Sequence, residues 1–313
     1  MSSREFQVPE PVRLRAESLG TQGAKWVAGL GASVDYLERR WSIRVGSVLA
    51  GGSESLVVEA EFENGTSAIL KVGLPGSADL GMEARVYGLA AGRGYANLFE
   101  HDSSHNALLM ERLGKPLASA RLPVAQQIAR LCETLSDAWI PLDSPSGLMT
   151  GAEKARWLAE FIIEKWQFLD QPCDRSTIDR ALLFAEERED AFAPESSVLI
   201  HGDAHAFNTL LVPGQLSHES RHKFVDPDGL FAERACDLAV PMRDWSAQLL
   251  AGDTMRLARE RCQLLAELTG VAERAIWQWG YVERISTSMV LLEIGMTDEG
   301  FESLGVAERL CDA

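Results

Sequence analysis

The sequence predicts an α+β protein in two parts, a small β-rich N-terminal lobe and a larger, mostly helical C-terminal lobe. Three observations carry this. Apolar residues alternate on both sides of Asn64-Gly65, a hairpin pattern within the first 113 residues. Beyond Gly114 the apolar spacing becomes helical in one segment after another. A single short β unit at residues 197–226 interrupts those helices, and it carries a dense set of polar groups.

Taken in order, residues 23–43 read as a helix, with Trp26, Val27, Leu30, Val34, Leu37 and Trp41 at helical spacing. A glycine-containing turn follows at Ala50-Gly51-Gly52-Ser53. Leu56, Val58, Ala60 and Phe62 then alternate, Asn64-Gly65 turns the chain, and Ala68, Leu70 and Val72 alternate again. Residues 79–92 read as a helix with Glu83 near its start, and 106–114 as a short buried strand that ends at Gly114 and Pro116. Helices are then expected at about 123–139, 152–169, 176–191, 235–250, 253–269 and 272–295. The expected division is a lobe at 1–113 and a lobe at 114–313.

Bulk properties bound the function. A chain of 313 residues suits one two-lobed domain or two domains. Apolar residues make up 46% and charged residues 24%, the composition of an ordinary globular protein. The net charge of -16 argues against nonspecific nucleic-acid binding, which requires cations to neutralise phosphates. The same charge favours a cationic ligand, although solubility alone also accounts for it. Cys132, Cys173, Cys236, Cys262 and Cys311 are odd in number and scattered, with no C-x-x-C spacing. This predicts a reducing, cytoplasmic setting without disulfides or structural zinc. No signal-like apolar region opens the chain, and no apolar run approaches the ~18 residues of a membrane span. Oligomeric state is left open.

The stretch "LIHGDAHAFNTLLV", residues 199–212, and the later "HKFVDPDGL" hold the chemistry. Pairing "NTLLV" with "HKFVD" so that Val212 faces His222 brings Asn208 opposite Asp226, with Asp203 in the loop just before them. Magnesium takes oxygen ligands, commonly one or two carboxylates together with substrate phosphates. Asn208 and Asp226 suit it, which leaves Asp203 free to accept a proton from a hydroxyl. Any one of these residues alone would pass for a turn former; the three together do not. A zinc site at His201 and His205 would need their i, i+4 spacing on a helix, and Gly202 argues against one there. The remaining histidines, His101, His105, His218 and His222, form no ligand pattern. His201 is expected to bond loop backbone and hold Asp203. His205 is expected either to touch phosphate or substrate or to be solvated. Asp228 in "DPDG" is expected to form the turn with Gly229 rather than to serve a second metal ion.

Lys71 stands out independently. It is one of only six lysines and sits inside an apolar strand. An unpaired ammonium is costly to bury, so a partner is expected, and Glu83 on the next helix is the candidate.

"HGDAHAFN" followed by "FVDPDGL" resembles the aminoglycoside phosphotransferase family, a small-molecule branch of the protein-kinase-like fold, whose signature is H-G-D-x4-N and then a hydrophobic-Asp pair. "CDLAVPMRDW" resembles the family's Asp-Leu-Ala helix start. "WVAGLGASVDYLERRWSIRVG", "GGSESLVV", "GTSAILKV" and "ALLMERL" resemble the streptomycin 6-phosphotransferase and hydroxyurea phosphotransferase subgroup. The likeness spans roughly residues 20–300 and is strongest at 26–113 and 199–245. It implies a protein-kinase-like two-lobe fold, ATP (or GTP) and Mg2+. Asp203 would be the catalytic base and Asn208 and Asp226 the magnesium ligands. Lys71, paired with Glu83, would bind the nucleotide phosphates. Glu111 and Leu113 would offer backbone to the adenine edge, with Met110 behind the base. The "AGGSES" turn departs from a G-x-G-x-x-G cradle, so Ser53 and nearby amides are only a weak phosphate cover.

Three functions are weighed. The first is a kinase acting on a hydroxyl of an aminoglycoside such as streptomycin, with carboxylates of the late helices, Glu283, Glu293, Asp298 and Glu299, meeting a cationic acceptor. The second is the same chemistry on hydroxyurea or another small hydroxylated metabolite. The third is a non-catalytic nucleotide-binding protein, disfavoured because Lys71, Asp203, Asn208 and Asp226 are all present.

Overall fold

The computed structural model describes residues 4, 6–76, 79–214 and 221–311. Two compact units are present, Met1–Gly114 and Lys115–Ala313.

The first unit is built on an antiparallel sheet in the order β1-β2-β3-β5-β4. Its strands are β1 (Ile43–Val48), β2 (Ser55–Phe62), β3 (Ser67–Gly73), β4 (Leu98–Asp102) and β5 (Ala107–Glu111). The turn at Asn64-Gly65 fixes the β2–β3 register, with Leu56 facing Val72, Val58 facing Leu70 and Ala60 facing Ala68. Asn64 Oδ1 accepts the Thr66 N–H at 2.9 Å, and Gly65 takes φ 83, so each residue meets the turn's demand. Helix α2 (Thr21–Trp41) lays Leu30, Val34, Leu37 and Trp41 against the apolar face of this sheet. It ends at left-handed Ser42, earlier than the periodicity suggests, and the chain enters β1 at once. Strands β1 and β4 and helix α1 (Glu10–Ser18) were not foreseen. β1 buries Ile43 and Val45 but breaks its alternation at a bulge before Val48, which blurs the pattern. Helix α3 (Leu80–Ala90) starts at Asp79, whose side chain accepts the Gly81 N–H.

The second unit is mainly helical: α4 (Val124–Ala138), α5 (Gly151–Phe168), α6 (Arg175–Asp190), α7 (Arg234–Arg243), α8 (Ser246–Leu250), α9 (Thr254–Thr269), α10 (Glu273–Glu293) and α11 (Thr297–Leu310). Short strands β6 (Ile140–Pro141), β7 (Met149–Thr150), β8 (Val198–Ile200) and β11 (Leu230–Ala232) form a sheet in the order β6-β8-β11-β7. Strands β9 (Thr209–Leu211) and β10 (His222–Phe224) make a separate hairpin. Its connecting loop, with His218, lies partly outside the described residues.

The helix expected at 235–250 is two helices. Trp245 at φ 55 turns the chain between α7 and α8. Such a break leaves carbonyls without helical partners. Two buried arginines take them: Arg284 donates to Met242 O at 2.8 Å, and Arg261 donates to Met242 O at 3.3 Å and Asp244 O at 2.5 Å. Beyond the helix expected at 272–295 stands a further one, α11, whose first turn holds Asp298 and Glu299, acidic residues that suit the positive end of the helix.

Helix α10 is buried along most of its length, and α7 crosses it at Gly280. A Cβ at Gly280 would stand 2.5 Å from Met242 Cβ, a contact that no side-chain rotation relieves. Gly280→Val is therefore expected to lower the stability of the protein by about 1–3 kcal/mol through overpacking, against the helix propensity that Gly sacrifices. A urea midpoint equal to that of the wild type would contradict this close approach.

Candidate active site

The site in the second unit is organised around a carboxylate that the sequence gives little reason to single out. Asp237, in the first turn of α7, is fully buried. Its Oδ1 accepts the Gly202 N–H at 2.8 Å, and its Oδ2 accepts the His201 N–H and the Trp139 Nε1–H, each at 3.0 Å. Burial pushes its pKa up, and these three hydrogen bonds oppose the shift. The loop after β8 is thereby tied to a helix start. Gly202 takes φ 92, and a Cβ there would come 2.8 Å from Asp228 Cβ, so glycine is required.

His201 is fully buried and structural. Its Nδ1 accepts the Asp203 N–H at 3.1 Å, which leaves Nε2 to donate to Val225 O at 2.9 Å. Both ring nitrogens are committed to backbone, so His201 has none left for a metal. Among the described residues no three His, Cys, Asp or Glu side chains converge as a metal site. The five cysteines are free thiols. Asp228 and Gly229 lie in the turn before β11, and Gly229 N–H bonds back to His201 O at 2.9 Å.

Asp203 carries its carboxylate into a cluster of donors. Arg243 Nη2 donates to Oδ1 at 2.6 Å, and His205 Nε2 lies 3.3 Å from Oδ2. His205 Nδ1 accepts the N–H groups of Phe207 and Asn208 at 3.2 Å, so the ring proton sits on Nε2 and faces Asp203. Burial alone would raise the pKa of Asp203; the His205 hydrogen bond and the Arg243 charge outweigh it and hold the carboxyl well below the usual carboxylate range. Arg243 is shared further, with Glu283 at 3.3 Å and Asp244 at 3.5 Å, and Lys154 meets Glu283 at 3.4 Å.

The hairpin register differs by one residue from the expected one. His222 faces Leu211 and Phe224 faces Thr209, and the Val225 N–H donates to Asn208 O at 3.0 Å. Asn208 is thus opposite Val225, and Asp226 is the next residue, left-handed at φ 56, where the chain turns out of the strand. Val212 N–H accordingly bonds Arg221 O at 2.9 Å, one residue from the expected His222. Asn208 Nδ2 donates to Asp203 O at 3.2 Å, which orients the amide and turns its Oδ1 away as an acceptor. An amide oxygen and an exposed carboxylate one residue past its partner are hard oxygen donors of the kind magnesium takes.

In the first unit, Lys71 lies in β3, largely buried, with its Nζ 2.6 Å from Glu83 Oε1 on α3. Met110, buried, and Glu111 end β5, and Leu113 follows. Glu111 gives its N–H to Asn97 O at 2.8 Å, and its carboxylate accepts from Asn97 N and Nδ2. What Glu111 can offer a base is therefore its carbonyl. Ser53 is exposed in the bend after Gly51 and Gly52, which take φ 125 and 75.

Of the late carboxylates, Glu293, Asp298 and Glu299 are not gathered around Asp203. Glu293 lies ten residues beyond Glu283 on α10, about 15 Å along the helix, and pairs with Lys165 at 2.7 Å. Asp298 and Glu299 are exposed in α11. The α10 carboxylate in the Asp203 cluster is Glu283. Asp237, Arg243 and Lys154 are the residues that sequence reasoning missed as site components. Their one legible signal is "CDLAVPMRDW", which places Asp237 and Arg243 six residues apart on a helix.

Over residues 40–295 the chain matches the aminoglycoside/hydroxyurea antibiotic resistance kinases. The chain belongs to this family. Among its curated relatives are a streptomycin 6-kinase of Streptomyces glaucescens, 25% identical over 299 residues and covering 94% of each chain, and a streptomycin 6-kinase of Streptomyces griseus, 26% identical over 314 residues and covering 99% of this chain and 98% of that one. A hydroxyurea phosphotransferase of Kitasatospora aureofaciens is 26% identical over 280 residues, 86% of this chain and 79% of its own. Solved structures share the protein-kinase-like fold. A choline kinase from Streptococcus pneumoniae superposes with TM-score 0.59 at 14% identity, over 89% of this chain and 99% of that one. An aminoglycoside phosphotransferase from Streptomyces rimosus superposes with TM-score 0.53 at 15% identity, over 82% and 98%. As a member of a kinase family the protein is a phosphotransferase. Among its described residues no helix is long and apolar enough to cross a membrane.

Two predictions follow from the loop anchors. Asp237→Ala leaves two backbone N–H groups and an indole N–H buried without an acceptor, and is expected to cost about 3 kcal/mol or more; a urea midpoint near the wild-type value would show that the anchor is dispensable. Asp203 has a depressed folded pKa, so its stabilising contribution is complete above the ordinary carboxylate pKa of about 4 and is lost as pH falls through the lower folded value. Relative to Asp203→Asn, the wild-type protein should lose melting temperature as pH falls below about 4. A gap that stays constant from about pH 5 down to about pH 2 would contradict the pairing.

Proposed function

We propose that this kinase moves the γ-phosphoryl group of ATP to a hydroxyl of an aminoglycoside such as streptomycin, with Asp203 as the base. The observation that carries the reading is the Asp203 carboxylate itself. It is held ionised and oriented by Arg243 and His205, in a loop whose Asn208 amide is oriented by its Nδ2 bond to Asp203 O. The names of the two streptomycin 6-kinases and the matched family support the acceptor class, and the net charge of -16 suits a cationic acceptor.

In this reading the acceptor oxygen forms a bond to the γ-phosphorus as the bond to the β,γ-bridging oxygen breaks. The acceptor proton passes to Asp203. Catalysis is then chiefly orientation and charge neutralisation. Asn208 and Asp226 would hold Mg2+, which when bound supplies positive charge against the phosphates. Lys71, kept in place by Glu83, would meet the α and β phosphates, and Ser53 with its neighbouring amides would cover them. The Glu111 carbonyl and the Leu113 N–H would meet the adenine edge beside Met110. His201 and His205 would support the loop. Glu293 is committed to Lys165, so of the late carboxylates Asp298 and Glu299 would be left for distant cationic groups of the acceptor. ATP and unpaired cysteines both suit the cytoplasm.

A second acceptor, hydroxyurea, is favoured by one specific observation, the 26% identity to a hydroxyurea phosphotransferase. Nucleotide turnover with streptomycin, hydroxyurea and other hydroxylated acceptors, followed by mass spectrometry of the product, separates the two readings. The expected product is streptomycin heavier by one phosphoryl group; a phosphorylated hydroxyurea alone would transfer the assignment. Asp203→Ala is expected to lower turnover by roughly 10²–10⁴-fold with nucleotide affinity retained. Near-wild-type turnover would remove Asp203 from the mechanism.

A further inference from the structure

The two oxygens of the Asp203 carboxylate are not equivalent. Oδ1 accepts a 2.6 Å bond from Arg243 Nη2, whereas Oδ2 meets His205 Nε2 only at 3.3 Å. A guanidinium that faces one carboxylate tends to pair with both of its oxygens through two parallel N–H groups. Arg243 does not, because its two Nη groups are divided. Nη1 donates to Glu283 Oε2 at 3.3 Å, whereas Nε, 3.5 Å from Asp244 Oδ1, makes no hydrogen bond. Glu283 is 5% exposed and is held from its other oxygen by Lys154 Nζ at 3.4 Å. Charges therefore alternate in a row, Lys154, Glu283, Arg243, Asp203, drawn from α5, α10, α7 and the loop after β8.

We propose that Glu283 is a positioning residue that divides the Arg243 fork, so that Arg243 grips Asp203 through Oδ1 alone and leaves Oδ2 for the acceptor hydroxyl. Without Glu283 the freed Nη1 side of the fork would turn to Asp203 and take both oxygens. The base would then be oriented but occupied. Lys154 holds Glu283 from behind and keeps it from moving toward Arg243. The proton of the acceptor passes to Oδ2 with His205 Nε2–H giving way, and no other group changes its charge. This inference rests on Asp203 as the base, and an Asp203→Asn control tests that reading separately.

A double-mutant cycle decides the matter, read as kcat and as KM for ATP and for streptomycin. Glu283→Gln is expected to lower kcat about 10²-fold, the scale of a small misplacement of reacting groups, with both KM values within about 3-fold of wild type. Arg243→Lys replaces the fork with a single point charge that cannot take two oxygens at once; alone it should lower kcat about 10-fold, through looser positioning. In the Arg243→Lys background, Glu283→Gln should change kcat less than about 2-fold, so the double variant is faster than Glu283→Gln alone. Losses that multiply, or a Glu283→Gln defect confined to KM, would overturn the proposal. If Glu283→Gln does not fold, judged by its melting curve, Arg243→Lys carries the test, and wild-type kcat in that variant would overturn it. Full activity of Asp203→Asn would instead remove the base assignment.

Discussion

One buried carboxylate holds the catalytic end of this protein together. Asp237 brings three donors to a point without solvent: the N–H groups of His201 and Gly202 and the Trp139 indole. Each of those groups would be costly to bury alone, and together they leave the loop after β8 a single conformation. His201 then passes the constraint on, since its ring ties the Asp203 N–H to Val225 O. Asp203, the hairpin that carries Asn208 and the segment that carries Asp228 are thus bonded to one another and, through His201 and Gly202, to the start of α7.

The same helix sets the electrostatics. α7 ends early, at Arg243, and its orphaned carbonyls are taken by Arg261 and Arg284. Because these two arginines are spent on backbone, Arg243 is the guanidinium left to face the carboxylates Asp203, Glu283 and Asp244. Asp203, Asp244 and Glu283 together favour the charged form of Arg243.

Lys71 and Glu83 show the same economy in the other unit. A lone ammonium in an apolar strand is tolerated because a carboxylate 2.6 Å away is delivered by the next helix. The pair could be anticipated from sequence because burial of an unpartnered charge is so unfavourable that it demands a nearby partner.

Local chemistry decides what a sequence can disclose by itself. The hairpin at Asn64-Gly65, the helical C-terminal part, the Lys71 and Glu83 pairing and the polar loop at 199–212 were all legible, because turn residues, apolar period and a conspicuous buried charge are local signals. Asp237 was not, because a single Asp on a helix looks like a surface residue until packing removes its water. The hairpin register missed by one residue for a similar reason: apolar runs of three residues cannot fix their own alignment, and the long loop between them adds no constraint. Nor could the sequence show that α7 stops at Arg243, since the arginines that accept the break come from α9 and α10. The sequence by itself determined which groups are available for phosphoryl transfer. Only the tertiary structure decided which of them share a charge, because burial and distance, not residue type, set the strength of an ionic contact.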